Sequence, residues 1–561
     1  MKKITFLLLL LPFLCFSQNP DWQWARNHSI ATNTGRQYTA IDSEGNIYLV
    51  GDFAGATLTI GSTTLTNSGA DFWDIYIAKY DKDGNVLWAK KLGGEYRDSP
   101  CAIATDGSGN FYITGSYQHS ITIGSTTLDN TIGVDFSNNF FAKFDSDGNA
   151  LWAKSNASNL GNWFANSIKT DALGNVYLAG LYSAQTLTFD TNTITNENYI
   201  DQNYKQSWVG KFDSNGKNTW LRSSQSNTQN TWGSTAFNIA VDTVGNVYIA
   251  GEFNNSIINF GAVTFTKTAI YDYNANMYLV KYNADGVAQW GKNTGTIYEN
   301  ITWASSVVTD SGNNVFVSGF FSNDIHFDAI TLTADGGSKP FTAKFDTNGT
   351  ALWAKTQTGS NCAAMSQNAD VDSAGNLYIV GYMSCSSMNF GNGVTLAVTG
   401  EGALYIAKYN AAGNAVWARR SSATNINNQA SIAVKNANEI YVAGTFWSPT
   451  LTFGTTPTLT KTTSNYDLFI AKLFYQPLAR QDFNADSFSV SPNPVNNTLF
   501  VKDLPGSCKY SLYDTTGKQV LQGVLEGTNA ALETSGLNAG MYLLRLQNEN
   551  GAYAVKKIVK L

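Results

Sequence analysis

The chain repeats itself seven times, and a repeat of this length leaves few ways to bury an apolar surface. The core phrase reads DSEGNIYLVGDF from Asp42 to Phe53, DGSGNFYITGSY from Asp106 to Tyr117 and DALGNVYLAGLY from Asp171 to Tyr182. It recurs from Asp242, Asp310 and Asp372 and, in a worn copy, from Lys435. The glycine closing the apolar run stands at Gly51, Gly115, Gly180, Gly251, Gly319, Gly381 and Gly444, which gives periods of 62 to 71 residues. One unit of this size cannot bury its apolar faces alone, so the pattern points to stacked or radial units.

Each repeat reads as four strands. In the second, strand a is expected over Ala102 to Asp106, b over Asn110 to Tyr117, c over Asn139 to Phe144 and d over Ala150 to Lys154. Tyr, Phe, Val and Ile fill these runs, and Asp, Asn and Gly punctuate them. Four antiparallel strands repeated radially make a propeller blade. Strand d carries Trp88, Trp152, Trp220, Trp290, Trp353 and Trp417, but the seventh repeat ends at LFIAKLFY with no tryptophan. The missing one is Trp24, ahead of the first repeat. An N-terminal strand d that completes the last blade would close the ring and protect the sheet edges of an open array. The fold class expected is therefore all-β, a seven-bladed β-propeller of four-stranded blades over residues 18–475, closed by an N-terminal strand. A further alternating stretch between strands b and c, such as TLTIGSTTLT from Thr57, predicts an extra hairpin in each blade.

The GNxYxxG and LWAK phrases resemble the bacterial SBBP-type β-propeller repeat family over about residues 21–475. That resemblance implies the fold and an extracytoplasmic setting, and no particular activity. Residues 476–487 break the pattern and read as a linker. Beyond them FSVSPNPVNNTLFV, YSLYDTTGKQVLQG and the closing GMYLLRL and KKIVKL phrases alternate like a small β-sandwich. Their order resembles the type A-like C-terminal sorting domain of the type IX secretion system, over residues 488–561. The resemblance implies the type IX machinery as a partner.

The N-terminus agrees with export. Lys2 and Lys3 precede an apolar run from Ile4 to Phe16, too short to span a bilayer, and small residues place a signal-peptide cut after Ser17. Lipidation of Cys15 is the alternative, against which stands the bulk of Leu14. No later run is long enough for a transmembrane segment. The expected location is secreted or attached to the outer surface. With 14% charged residues and a net charge of -6, the chain has no basic excess to neutralise a phosphate backbone, so nucleic acid is not expected as a partner.

Little catalytic chemistry is visible. His28, His119 and His326 lie in different repeats, and no nucleophile elbow, metal-binding helix or Walker loop occurs. A pair of carboxylates would leave no motif, so a glycan-active hydrolase or lyase stays open beside a binding role. The acidic turns DKDGN, DSDGN and DSNGK resemble the start of a calcium loop but lack its later glutamate, and read as hairpin turns. No cofactor or metal is expected. Cys362 precedes strand a of the sixth blade and Cys385 follows its strand b, which predicts a disulfide between them.

Six tryptophans lie outside the strand-d set. Topology assigns Trp163, Trp232 and Trp303 to d-to-a loops and Trp73, Trp208 and Trp447 to b-to-c connections, all near one face of the disc. Tyr96 and Tyr298 join them. These rings either pack beneath the loops or face a ligand, and Tyr96, Trp163, Trp232, Tyr298 and Trp303 are the candidate ligand-binding residues for a glycan or protein. A surface-layer or adhesion component without a discrete pocket is a third reading.

Overall fold

The computed structural model describes residues 20–474 and 488–561, apart from 29–33, 70–71, 131–136, 160–162, 198, 200–203, 227–232, 268–274, 296–300, 335–336, 360–362, 398–401, 423–429, 455–457, 463–465, 505 and 549–552. The signal-peptide and linker readings fall outside the described residues. Contacts divide the chain into one compact unit of Asn19–Tyr475 and another that holds Gln476–Leu561. Among the described residues no helix is long and apolar enough to cross a membrane.

The larger unit contains seven four-stranded antiparallel sheets, each in the order a-b-c-d. The a strands are Thr34–Ile41, Asp98–Thr105, Trp163–Thr170, Ser234–Val241, Thr302–Thr309, Ala363–Val371 and Ser431–Asn436. Each touches the next, and the seventh touches the first, so the sheets form a closed seven-bladed propeller. In the closing blade strand a pairs with Glu439–Phe446, which pairs with Asp467–Phe474, and strand d is the N-terminal Asp21–His28. Closure by the segment carrying Trp24 thus agrees with the tryptophan count. Each blade also carries a two-stranded hairpin between b and c, such as Thr57–Ile60 with Thr63–Thr66. In blade 2 strand a begins at Asp98, earlier than the sequence indicated, because an irregularity between Pro100 and Ala102 lets pairing resume at Asp98 and Tyr117.

Two repeated devices hold blades in register. The first is the a-to-b turn. Asp106 Oδ1 accepts from the amides of Ser108 and Asn110, and Oδ2 accepts from Asn110 Nδ2 at 2.9 Å and from the Tyr112 hydroxyl at 2.9 Å. Lys143 of strand c stands 3.9 Å from the same oxygen. In the worn seventh copy Lys435 replaces the aspartate, and Glu439 receives Lys472 at 3.2 Å instead. The second device joins neighbouring blades. The indole N–H of Trp220 donates to Ala284 O in the next blade's c-to-d turn at 3.0 Å, and Gly286 of that turn lies against the ring. Gly286 has φ of 75°, and a Cβ there would come within 2.6 Å of the indole. Trp24, Trp88, Trp152, Trp290 and Trp353 repeat the hydrogen bond. Trp417 faces the closing blade, whose c and d strands come from opposite parts of the chain, and its buried N–H has no partner among the described residues. Arg419 donates to Pro20 O at 2.9 Å, as Arg222 donates to Gly286 O at 2.8 Å, so Pro20 stands where a turn glycine stands elsewhere.

In the second unit a three-stranded sheet, Ser489–Ser491, Thr498–Lys502 and Asn529–Glu533, shares a core with a four-stranded sheet. The latter runs Gln519–Leu525, Cys508–Asp514, Gly540–Asn548, Tyr553–Lys560. This is the sandwich that the alternation predicts.

The acidic c-to-d turns behave as turns: Asp81 Oδ1 accepts from the amides of Asp83 and Asn85, and Oδ2 from Asn85 Nδ2. Cys101 and Cys508 are buried thiols, and Cys385 is disulfide-bonded. Cys362 lies outside the described residues, so its pairing with Cys385 stands as a proposal.

Candidate functional site

Strand a is the inner edge of every blade and leaves backbone N–H and C=O groups directed at the propeller axis, where each needs a partner. Side chains of adjacent blades supply many of them. The Thr105, Thr170 and Thr309 hydroxyls donate to the carbonyls of Ile41, Thr105 and Val241 in the preceding blades, at 2.7, 2.7 and 2.9 Å. Ser306 Oγ accepts from Ala369 N, Asn368 Oδ1 from Ile432 N, and Asp370 Oδ2 from Val434 N at 2.7 Å. The wall is thereby stitched around an axial cavity of about 870 Å³ lined by the a strands of all seven blades.

A β-bulge in strand a decides what this wall presents, because the extra residue drops out of pairing and its side chain is re-aimed. Blade 2 has such a bulge at Cys101, away from the cavity lining, and in blades 3, 4, 5 and 6 it falls at Asn166, Phe237, Ser305 and Gln367. The latter four line the cavity, with Asn238 and Asn368 beside them. Asn166 Nδ2 donates to Ala236 O, and Gln367 Oε1 accepts from Ala430 N, each at 2.9 Å, so both carboxamides retain a second hydrogen-bonding end.

The mouth lies at the end where the a strands begin and the b strands finish. Trp303, at the head of its a strand, is 39% exposed and stands between Phe237 and Phe320, each 5.5 Å away between ring centres. Glu252, opposite Thr235 on strand b of blade 4, receives the Trp303 side chain. Burial pushes the Glu252 carboxyl up to about 7 against the opposing pull of Lys205 and that hydrogen bond. Further in, burial likewise raises the Asp370 carboxyl, with Lys169 of blade 3 opposing. The charged residues lining the cavity are therefore Lys169 and Lys205 set against Glu252 and Asp370.

Of the candidate residues, the structure brings Trp303 to this cavity. Trp163 is a correction: it is fully buried, its indole N–H donates to Asn138 Oδ1 at 2.6 Å, and it packs 5.2 Å from Phe189 and 5.7 Å from Trp208. Burying that large ring against Phe189 and Trp208 stabilises the blade more than exposure would allow, and Asn138 satisfies its one polar atom. Tyr96 is half-buried between Phe72 and His119, at 5.4 and 5.2 Å, away from the cavity lining. Trp232 and Tyr298 lie outside the described residues. Sequence reasoning missed Phe237, Phe320, Glu252 and the bulge residues, since nothing in the repeat phrase marks them.

Residues 489–560 match the family of secretion system C-terminal sorting domains. An uncharacterized WD repeat-containing protein of Acanthamoeba polyphaga mimivirus is 24% identical over 477 residues, covering 73% of this chain. The chain spans about a third (34%) of that relative's length. Among solved structures, a protein of unknown function from Dyadobacter fermentans aligns over 80% of this chain and all of its own, at 10% identity and a TM-score of 0.34. A polysaccharide lyase, the PL25 ulvan lyase, aligns over 75% of this chain and 93% of its own, at 11% identity and a TM-score of 0.39. The chain is a β-propeller repeat protein that carries a C-terminal sorting domain for secretion.

Proposed function

We propose that the protein is an exported binding module whose propeller takes a saccharide at the mouth of its axial cavity. The observation that carries this reading is the exposed Trp303 ring between Phe237 and Phe320 at the entrance to a cavity of about 870 Å³. Pockets of that size, with aromatic walls and a few placed polar groups, suit a small organic ligand. Aromatic faces cover the C–H faces of a sugar ring, while Glu252, Asn238 and Ser305 meet its hydroxyls. In this reading Sec export delivers the chain to the type IX machinery through its C-terminal domain, and the propeller works at the cell surface or after release.

A glycan-array screen of the full mature chain against its Trp303→Ala variant tests the site. Binding that the variant loses while keeping its melting temperature supports the proposal; silence across the array, or binding indifferent to the substitution, overturns it. One observation favours the hydrolase or lyase reading: a Glu252 carboxyl raised to about 7 is suited to general acid–base work at neutral pH. Chain cleavage by the wild type, lost in Glu252→Gln with binding retained, would establish it.

A further inference from the structure

The chemistry of the cavity wall specifies the kind of saccharide, an inference that rests on the binding reading above. A site for uronate or sulfate needs a surplus of cationic donors, and a site for an amino sugar needs a surplus of carboxylates. The wall has neither in number, because its two lysines are matched by two carboxyls and each is engaged with one of them, Lys205 with Glu252 and Lys169 with Asp370. Asp370 is further occupied by its two backbone donors, Val371 N and Val434 N.

What remains is a belt of uncharged groups that both donate and accept: the carboxamides of Asn166, Asn238, Gln367 and Asn368 and the hydroxyl of Ser305. A sugar hydroxyl also donates and accepts, so a carboxamide can pair with it in either sense, whereas an anionic oxygen would use the N–H ends and meet the C=O ends unfavourably. The belt comes from blades 3 to 6, which also carry the Phe237, Trp303 and Phe320 mouth. Aromatic platform and carboxamides therefore sit on one side of the ring, where a single sugar unit can meet both.

We infer that the propeller binds an uncharged saccharide, read by Asn238, Ser305 and the free ends of the Asn166, Gln367 and Asn368 carboxamides. Among the described residues the Asn238 and Ser305 side chains make no hydrogen bond of the kind that ties Asn166 and Gln367 to the next blade, so they can be altered without unstitching the wall.

The test uses the full mature chain and matched probes, oligogalacturonides fully methyl-esterified or de-esterified, within a panel of neutral glucan, mannan, galactan and xylan oligosaccharides and their acidic counterparts. Binding is expected among the neutral members, with esterified oligogalacturonide preferred over its acid by at least about tenfold. Asn238→Ala should weaken binding to the best neutral probe by about tenfold, in line with the loss of one or two hydrogen bonds, with the melting temperature unchanged. Equal or better binding of acidic members overturns the inference while leaving the binding reading intact, as does an Asn238→Ala,Ser305→Ala variant of wild-type affinity. Silence on neutral and acidic probes alike overturns both.

Discussion

His28 makes the ring closure sensitive to acid. It ends the N-terminal strand, opposite Leu468, and its Nε2 lies 2.9 Å from the Tyr80 hydroxyl of the first blade. Burial, reinforced by Arg26, lowers its pKa from 6.5 to about 4. The folded chain thus keeps the ring neutral where the unfolded chain takes up a proton. Stability from this residue is complete above pH 6.5 and is lost as the pH falls toward 4, by about 3 kcal/mol at 1.36 kcal/mol per pH unit of displacement. Glu252, raised from 4.5 to about 7, and Asp98, raised from 3.8 to about 8, act in the opposite sense. Their carboxyls favour the folded chain increasingly as the pH drops, so the wild-type profile alone would mislead. The comparison is with His28→Gln, which keeps a polar atom near Nε2 and cannot titrate. Urea unfolding of both proteins between pH 4 and 7.5, followed by tryptophan fluorescence, should show the variant gaining on the wild type by about 3 kcal/mol toward pH 4. Parallel curves over that range would refute the assignment.

Gly286→Ala should cost about 3 kcal/mol, because the left-handed φ and the Trp220 ring both oppose a Cβ, whereas Gly109→Ala, with φ of 82° and nothing within 4 Å, should cost about 1; thermal melts of the two decide it. Trp290→Phe removes a hydrogen bond to Thr347 O and Trp417→Phe removes none, so the first should be the more destabilising by about 1 kcal/mol in denaturant titration. Non-reducing peptide mapping should recover Cys362 and Cys385 in one linked fragment, and two unlinked thiols there would remove the proposed disulfide.

The repeat was readable because blade formation depends on local pattern. Strand b, with its alternation and terminal glycine, needs only short-range turn chemistry around residues such as Asp106 and Asn110. Even the long-range closure could be counted, since Trp24 was the one strand-d marker ahead of the repeats. The site was not readable in the same way. The bulges place Cys101, Asn166, Phe237, Ser305 and Gln367 at equivalent points in five blades, yet a thiol, two carboxamides, a phenyl ring and a hydroxyl form no residue pattern and the bulge is a backbone event. Trp163 and Trp303 both stand at the head of strand a but one register position apart, Trp163 opposite Tyr182 and Trp303 opposite Phe320, where the repeat glycines pair with Ala165 and Ala304, so the two rings leave opposite faces of the sheet. Asn138, Phe189 and Trp208 enclose the first, while Phe237 and Phe320 flank the second and leave it open.

If the chain is threaded across a membrane from its N-terminus, the closing blade sets an order of events. Asp21–His28 emerges first but pairs with Asp467–Phe474, so Asn27 must wait some 440 residues for its neighbour Asp467. Until then the first and last blades each keep an uncovered flank, and loop closure of that span comes late. The sorting residues 489–560 follow directly in the chain. A chain that has brought out residues 489–560 has therefore already delivered every strand the ring requires.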